Sequence, residues 1–207
     1  MIELIWSDRP SPGAAPSLRM PGEDKRAFED RAGWCTPAAS LRRDLDGDGG
    51  GRAVHLIARD LRNGQHLGSL RLLPTTCPHL LEGEYRALCP DGSPRGESIW
   101  EISQVMTTPA RGQPAGRALR VHRLLALAVV EFGLLNGIDR YLLVASSATM
   151  PRLLSIGWRV RPLSLPTKHS GRTLQALEIT VCRDTLETLR TRLGMMASMF
   201  AHWNADA

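Results

Sequence analysis

Residues 118–135 form a run rich in Ala, Leu and Val that is apolar nearly all the way round a helix, and the run stops at Asn136-Gly137. A helix without a polar face has to be buried, and a glycine just past its end supplies the left-handed residue that a helix C-terminus favours. The fold must therefore be built around this helix. The 207 residues suffice for one sizeable core and leave little for a second, so residues 1–207 read as one domain, with 1–52 as a leading segment and 194–207 as a tail.

Strand-like segments surround the helix. Residues 53–60 (AVHLIARD) and 66–74 (HLGSLRLLP) are apolar runs separated by a segment containing Asn63-Gly64, which predicts an antiparallel hairpin. Residues 98–108 (SIWEISQVMTT) alternate with period two, setting Ile99, Glu101, Ser103 and Val105 on one face and Trp100, Ile102, Gln104 and Met106 on the other. Residues 141–145 read as a buried strand, 149–155 as a short helix, and 158–165 and 174–182 as strands. A helix over 185–193 follows, with Asp184 and Glu187 as its capping box. The first fifty residues read as irregular: a Pro/Ser-rich stretch, a charged segment over 23–31 that can be helical, and a glycine-rich loop after Asp44, Asp46 and Asp48. The order β-β-β-α-β-α-β-β-α predicts a mixed α/β sheet.

Several classes of function are disfavoured. No apolar stretch approaches the roughly 20 residues of a membrane-spanning helix. The N-terminus carries Glu3 where a secretory signal would be positive, so a cytoplasmic location is expected. Cys35, Cys77, Cys89 and Cys182 lie far apart with no histidine at metal spacing, which suggests neither a metal site nor a disulfide framework. Lys and Arg number 26 against 21 Asp and Glu, a net charge of +5. Lysine is scarce, arginines are dispersed and aromatics are only 5%, so a nucleic-acid platform is not expected, and an anionic small molecule or acidic protein fits better.

Gln113, Gly116 and Arg117 lie in a Q-x-x-G-x-A segment between the third strand and the long helix, where free backbone N–H groups and the helix dipole favour an anion. The segment resembles the acetyl-coenzyme A loop of GNAT acyltransferases, and it also reads as an ordinary strand-to-helix loop. A second constellation is more specific. Arg71 to Thr76 spell RLLPTT, followed by Pro78, Leu80 and Leu81, and later by Trp100-Glu101-Ile102-Ser103. These residues resemble the acyl-homoserine lactone synthases, whose pattern is RLLPTTGPxML and then WELSR. Phe28, Gly33 and Trp34 match an N-terminal helix motif of that family, and Leu56 to Asp60 match the strand before the hairpin, so the resemblance spans residues 20–182.

The resemblance implies a GNAT-like, mostly antiparallel sheet between helices in three α-β-α layers, with residues 1–52 covering the substrate. It implies acyl transfer from an acyl carrier protein or acyl-coenzyme A to the amine of S-adenosylmethionine, then lactonisation that releases methylthioadenosine, with no permanently bound cofactor. Glu101 is the implied base, with Ser103 beside it. Backbone groups near Val105 and Met106 are expected at the thioester carbonyl. Arg71, Phe28, Trp34 and Asp46 or Asp48 would position the methionine part. Gln113, Gly116 and Arg117 would meet the pantetheine or coenzyme A, and Ser146 can touch the acyl chain or simply line its pocket.

The chain departs from the family at two points. Asp24 and Gln104 stand where arginines are usual, and neither replaces a bidentate guanidinium. A GNAT-type acyltransferase acting on another amine, and an inactive thioester-binding paralogue, therefore remain alternatives. His122 reads as structural, Cys77 as a bland replacement of a turn glycine, and His79 receives no role.

Overall fold

A computed structural model of the chain describes residues 2–5, 53–60, 62–63, 66–107 and 115–199, with the backbone alone at 2–5 and 115–118. Eight strands form one sheet in the order β1-β2-β3-β4-β5-β8-β6, with β7 also paired to β8. β1 (Ile2–Ile5), β2 (Val54–Asp60), β3 (His66–Pro74) and β4 (Ile99–Thr107) are each antiparallel to the next. β5 (Arg140–Ser146) lies parallel to β4, and β8 (Arg172–Thr180) lies antiparallel to β5. β6 (Arg159–Pro162) and β7 (Thr167–His169) share the other edge of β8.

Parallel neighbours need a crossover that leaves one end of the sheet and returns to the other. Here the crossover from β4 to β5 contains the long apolar helix, α1 (Ala115–Leu135). It packs on the sheet face made by Val54, Leu56, Leu70, Leu72, Ile102, Tyr141, Leu143, Leu177 and Ile179. α3 (Arg183–Leu193) and the segment at 195–199 cover its other side. Glu131 ties that layer together: its carboxylate pairs with Arg190 at 3.3 Å, accepts the Met199 N–H at 2.7 Å and accepts the Ser198 hydroxyl. α2 (Thr149–Ile156) ends at Gly157, φ 105°, where a Cβ would meet Thr188 Cγ2 of α3 at 2.6 Å. No described helix is long and apolar enough to cross a membrane.

All three described helices contribute to this one face. The opposite face of β5 and β8 is covered by the connection between β3 and β4. Leu81, Tyr85, Leu88 and Cys89 from that connection pack on Ile99, Leu142, Val144, Leu174 and Ala176.

The hairpin, the crossover helix and the order of the expected strands match the sequence reading, to which the structure adds the short β7 between β6 and β8; three further details differ. The leading segment is not wholly irregular, because Ile2–Ile5 pairs antiparallel with β2. The strand expected over 158–165 is shorter: β6 ends at Pro162, and Trp158 lies before it, buried in the core. The capping box is absent. α3 starts at Arg183, its N-cap is Cys182 with no side-chain cap bond, and Asp184 instead pairs with Arg159 at 2.9 Å. An exposed aspartate in the first turn is favoured by the helix dipole without being the cap.

Candidate functional site

β4 is where the sheet stops being regular. Against β3, Arg71 is opposite Ser103 and Ser69 is opposite Met106, so β4 carries one residue more than its partner between these pairs. The extra residue is a β-bulge. Gln104 within it has φ 49°, a left-handed conformation uncommon outside glycine and frequent at functional sites. The bulge breaks the period-two alternation. Val105, expected on the face of Glu101 and Ser103, turns to the helix side with Ile102, because one inserted residue flips every side chain beyond it. Ile102 and Val105, with Leu70, Leu125, Ala126, Val129, His122 and Trp158, line a small cavity beneath the bulge.

The same region is where β4 and β5 part. Their parallel ladder runs only through Ile102 and Leu143, whereas β5 continues against β8 as far as Ser146. Beyond Ile102 the β4 backbone has no ladder bonds to β5, which opens a split between the two strands. Gly68 permits this divergence on the β3 side. A Cβ there would lie 2.8 Å from both Met106 O and Val121 Cγ1.

On the face away from α1, β2, β3 and β4 carry polar groups side by side. His55, Arg71 and Ser103 follow one another across the three strands, and Glu101 lies one pleat along, opposite Leu73. Arg71 and Glu101 are thus diagonal neighbours, about 7–8 Å apart at the backbone. Glu101 is 1% exposed and Ser103 2%. Glu101 Oε2 accepts the Leu80 N–H at 2.8 Å. Ser103 Oγ has no hydrogen-bond partner among the described residues. Burial, and then the adjacent Arg71 guanidinium, push the His55 imidazole below its ordinary pKa, so it is held neutral. A face serving only as core would not keep an arginine, a carboxylate and an unpartnered hydroxyl out of water, since each is costly to bury.

The structure thus brings Arg71, Glu101 and Ser103 together, with Gln104, Val105 and Met106 directly beyond them on β4. Ser146 ends β5, with its Oγ 3.0 Å from Thr149 Oγ1 at the start of α2. Gly116 and Arg117 fall in the first turn of α1 by their backbone. Phe28, Trp34, Asp46, Asp48, Gln113 and the divergent Asp24 lie outside the described residues, as does the side chain of Arg117. Two contributors escaped the sequence reading. The Leu80 N–H carries no side-chain signature. His55 was hidden by register: a two-residue Asn63-Gly64 turn would set it opposite Leu72, whereas the observed hairpin pairs Arg59 with His66 and, past the irregularity between Ala58 and Arg59, His55 with Arg71.

Comparison with known proteins places these features in a family. The model of the autoinducer synthases matches residues 20–189. An acyl-homoserine-lactone synthase of Ralstonia solanacearum is 32% identical over 168 residues, covering 79% of this chain and 81% of the relative. An isovaleryl-homoserine lactone synthase of Bradyrhizobium diazoefficiens is 29% identical over 169 residues, covering 81% and 74%. Among solved structures, the CoA-dependent acyl-homoserine lactone synthase BjaI, with SAM and isopentyl-CoA, superposes with a TM-score of 0.62 at 27% identity, covering 77% of each chain.

Proposed function

The chain belongs to the autoinducer synthase family, and from that premise we propose that it is a cytoplasmic acyl-homoserine lactone synthase making a quorum-sensing signal from S-adenosylmethionine and an acyl thioester. The observation that carries this reading is the pairing of a buried polar row, Arg71, Glu101 and Ser103, with a bulged β4 that splits from β5 directly beyond it.

Each part suits one demand of the reaction. The substrate's ammonium must lose a proton before its nitrogen can attack, and Glu101, directly or through a water, accepts it. The N–C bond forms as the thioester C–S bond breaks, and the departing thiolate takes up the second proton from nitrogen. Negative charge on the attacked carbonyl oxygen meets N–H groups of β4 around Val105 and Met106, free of ladder bonds to β5. Arg71 holds the substrate carboxylate. Lactonisation then joins that carboxylate to the carbon bearing the sulfonium, and the C–S bond breaks to release neutral methylthioadenosine, so the negative and positive charges cancel in one step. The acyl chain enters the split toward the cavity lined by Ile102, Val105 and Leu125. The donor carries a pantetheine arm, whether on coenzyme A, as in the BjaI complex, or on a carrier protein. Phe28, Trp34 and Asp46 or Asp48 from the leading segment, with Gln113 ahead of α1 and Gly116 and Arg117 in its first turn, complete the two substrate sites in this reading.

The test is incubation with S-adenosylmethionine and a panel of acyl-coenzyme A and acyl-carrier-protein thioesters, following methylthioadenosine and lactone by chromatography. Equimolar release of both is expected, and Glu101→Gln should lower turnover by ~10²-fold or more while the protein stays folded. Gln104 in place of an arginine favours a second reading, acylation of a different amine. An acylated amine formed without methylthioadenosine would select it.

A further inference from the structure

We propose that His79 is a positioning residue for Glu101, acting by clamping the connection between β3 and β4 so that the Leu80 N–H is held on the carboxylate. The inference rests on the synthase reading for what Glu101 does, and on the geometry of residues 75–98 for how it is held.

That connection has little regular structure beyond one 3-10 turn at Arg86–Leu88, yet it delivers a backbone donor to a buried carboxylate at 2.8 Å. Such a bond fixes which way the carboxylate faces, and it stabilises the charged form that must be present before a proton can be accepted. The N–H belongs to the residue next to His79. The His79 side chain is 0% exposed and bridges both limbs of the connection. Its Nδ1 lies 3.1 Å from the Cys77 carbonyl oxygen and 3.3 Å from Glu82 Oε2, and its Nε2 lies 3.0 Å from Ser93 Oγ. A carbonyl can only accept, so Nδ1 donates to Cys77 O, while Nε2 and the Ser93 hydroxyl share the second hydrogen bond. One ring thus ties positions 77 and 93 together, with Leu80 beside it. The base of the connection is anchored separately. Thr75 Oγ1 donates to Ile99 O at 2.8 Å and accepts the Gly96 N–H at 3.1 Å. Near the surface, Arg95 bonds Glu82 at 2.8 Å and the Thr76 carbonyl. With base and rim held by other residues, the imidazole's own contribution is the middle, where Glu101 is touched.

The test compares three variants with wild type, by kcat, by KM for S-adenosylmethionine and by melting temperature. His79→Phe fills the ring space without hydrogen bonds. His79→Gln restores an amide that can reach the Ser93 hydroxyl. Arg95→Gln cuts the rim and leaves the ring alone. His79→Phe should lower kcat by ~10- to 100-fold, with KM within about twofold. His79→Gln should recover most of that loss, and Arg95→Gln should turn over as wild type. A folded His79→Phe protein with kcat within about twofold of wild type, or a loss confined to KM, overturns the proposal. Should His79→Phe not fold, His79→Asn replaces it, and wild-type kcat in His79→Asn overturns the proposal equally. A wild-type protein that releases no methylthioadenosine from any thioester would instead overturn the synthase reading.

Discussion

The two faces of the sheet at β2, β3 and β4 are built from the same strands and obey different rules. Toward α1, the buried positions Val54, Leu56, Leu70, Leu72 and Ile102 are all aliphatic and mutually packed. On the reverse face, the equally inaccessible positions include Ser69, Arg71, Glu101 and Ser103 beside Leu73 and Ile99. Burial is the same and composition differs, the second face setting four polar side chains among its apolar ones. Near-complete burial of a carboxylate is tolerated because it receives a hydrogen bond from Leu80. The Ser103 hydroxyl has no such compensation among the described residues.

That contrast can be broken most forcefully from the helix side. Leu72→Ala removes a side chain 0% exposed between β2 and β4. It should lower the unfolding free energy by about 2–5 kcal/mol, read from the midpoint of urea denaturation. Ser103→Ala, at an equally buried position on the reverse face, should change stability by less than about 0.5 kcal/mol, because no intramolecular bond is lost. Its turnover should nevertheless fall. A destabilisation as large as that of Leu72→Ala would show that the reverse face is also core.

The smallest effect concerns His55. Its folded pKa lies below the ordinary value, so near and below about pH 6.5 the unfolded chain binds more protons than the folded one. Its contribution is therefore fully present at neutral pH and declines as pH falls from about 6.5 through the depressed value. His55→Gln should flatten that acidic decline in melting temperature. An unchanged slope would remove His55 from the polar row's electrostatics.

What was legible in the sequence was local. An apolar run as long as 118–135 demands a buried helix, and period-two segments demand strands, so the crossover and its flanking strands were readable from hydrophobic spacing. RLLPTT and Trp100-Glu101-Ile102-Ser103 carried the chemistry in their side chains, and Arg71, Glu101 and Ser103 were found there. Less legible was anything depending on a slip of one residue. Val105 was assigned to the wrong face because a bulge has no reliable residue signature when a glutamine, rather than a glycine, takes the left-handed φ.

Side-chain identity and spacing are properties of the chain, so the sequence by itself determined the family, the elements and the residues suited to the chemistry. Tertiary structure decided which of those residues meet. Register set His55 beside Arg71, the bulge turned Val105 toward α1, and the clamped connection brought the Leu80 N–H to Glu101. The reason is that pairing between strands and the path of a connection are settled by packing far along the chain, where a shift of a single residue exchanges the buried face for its opposite.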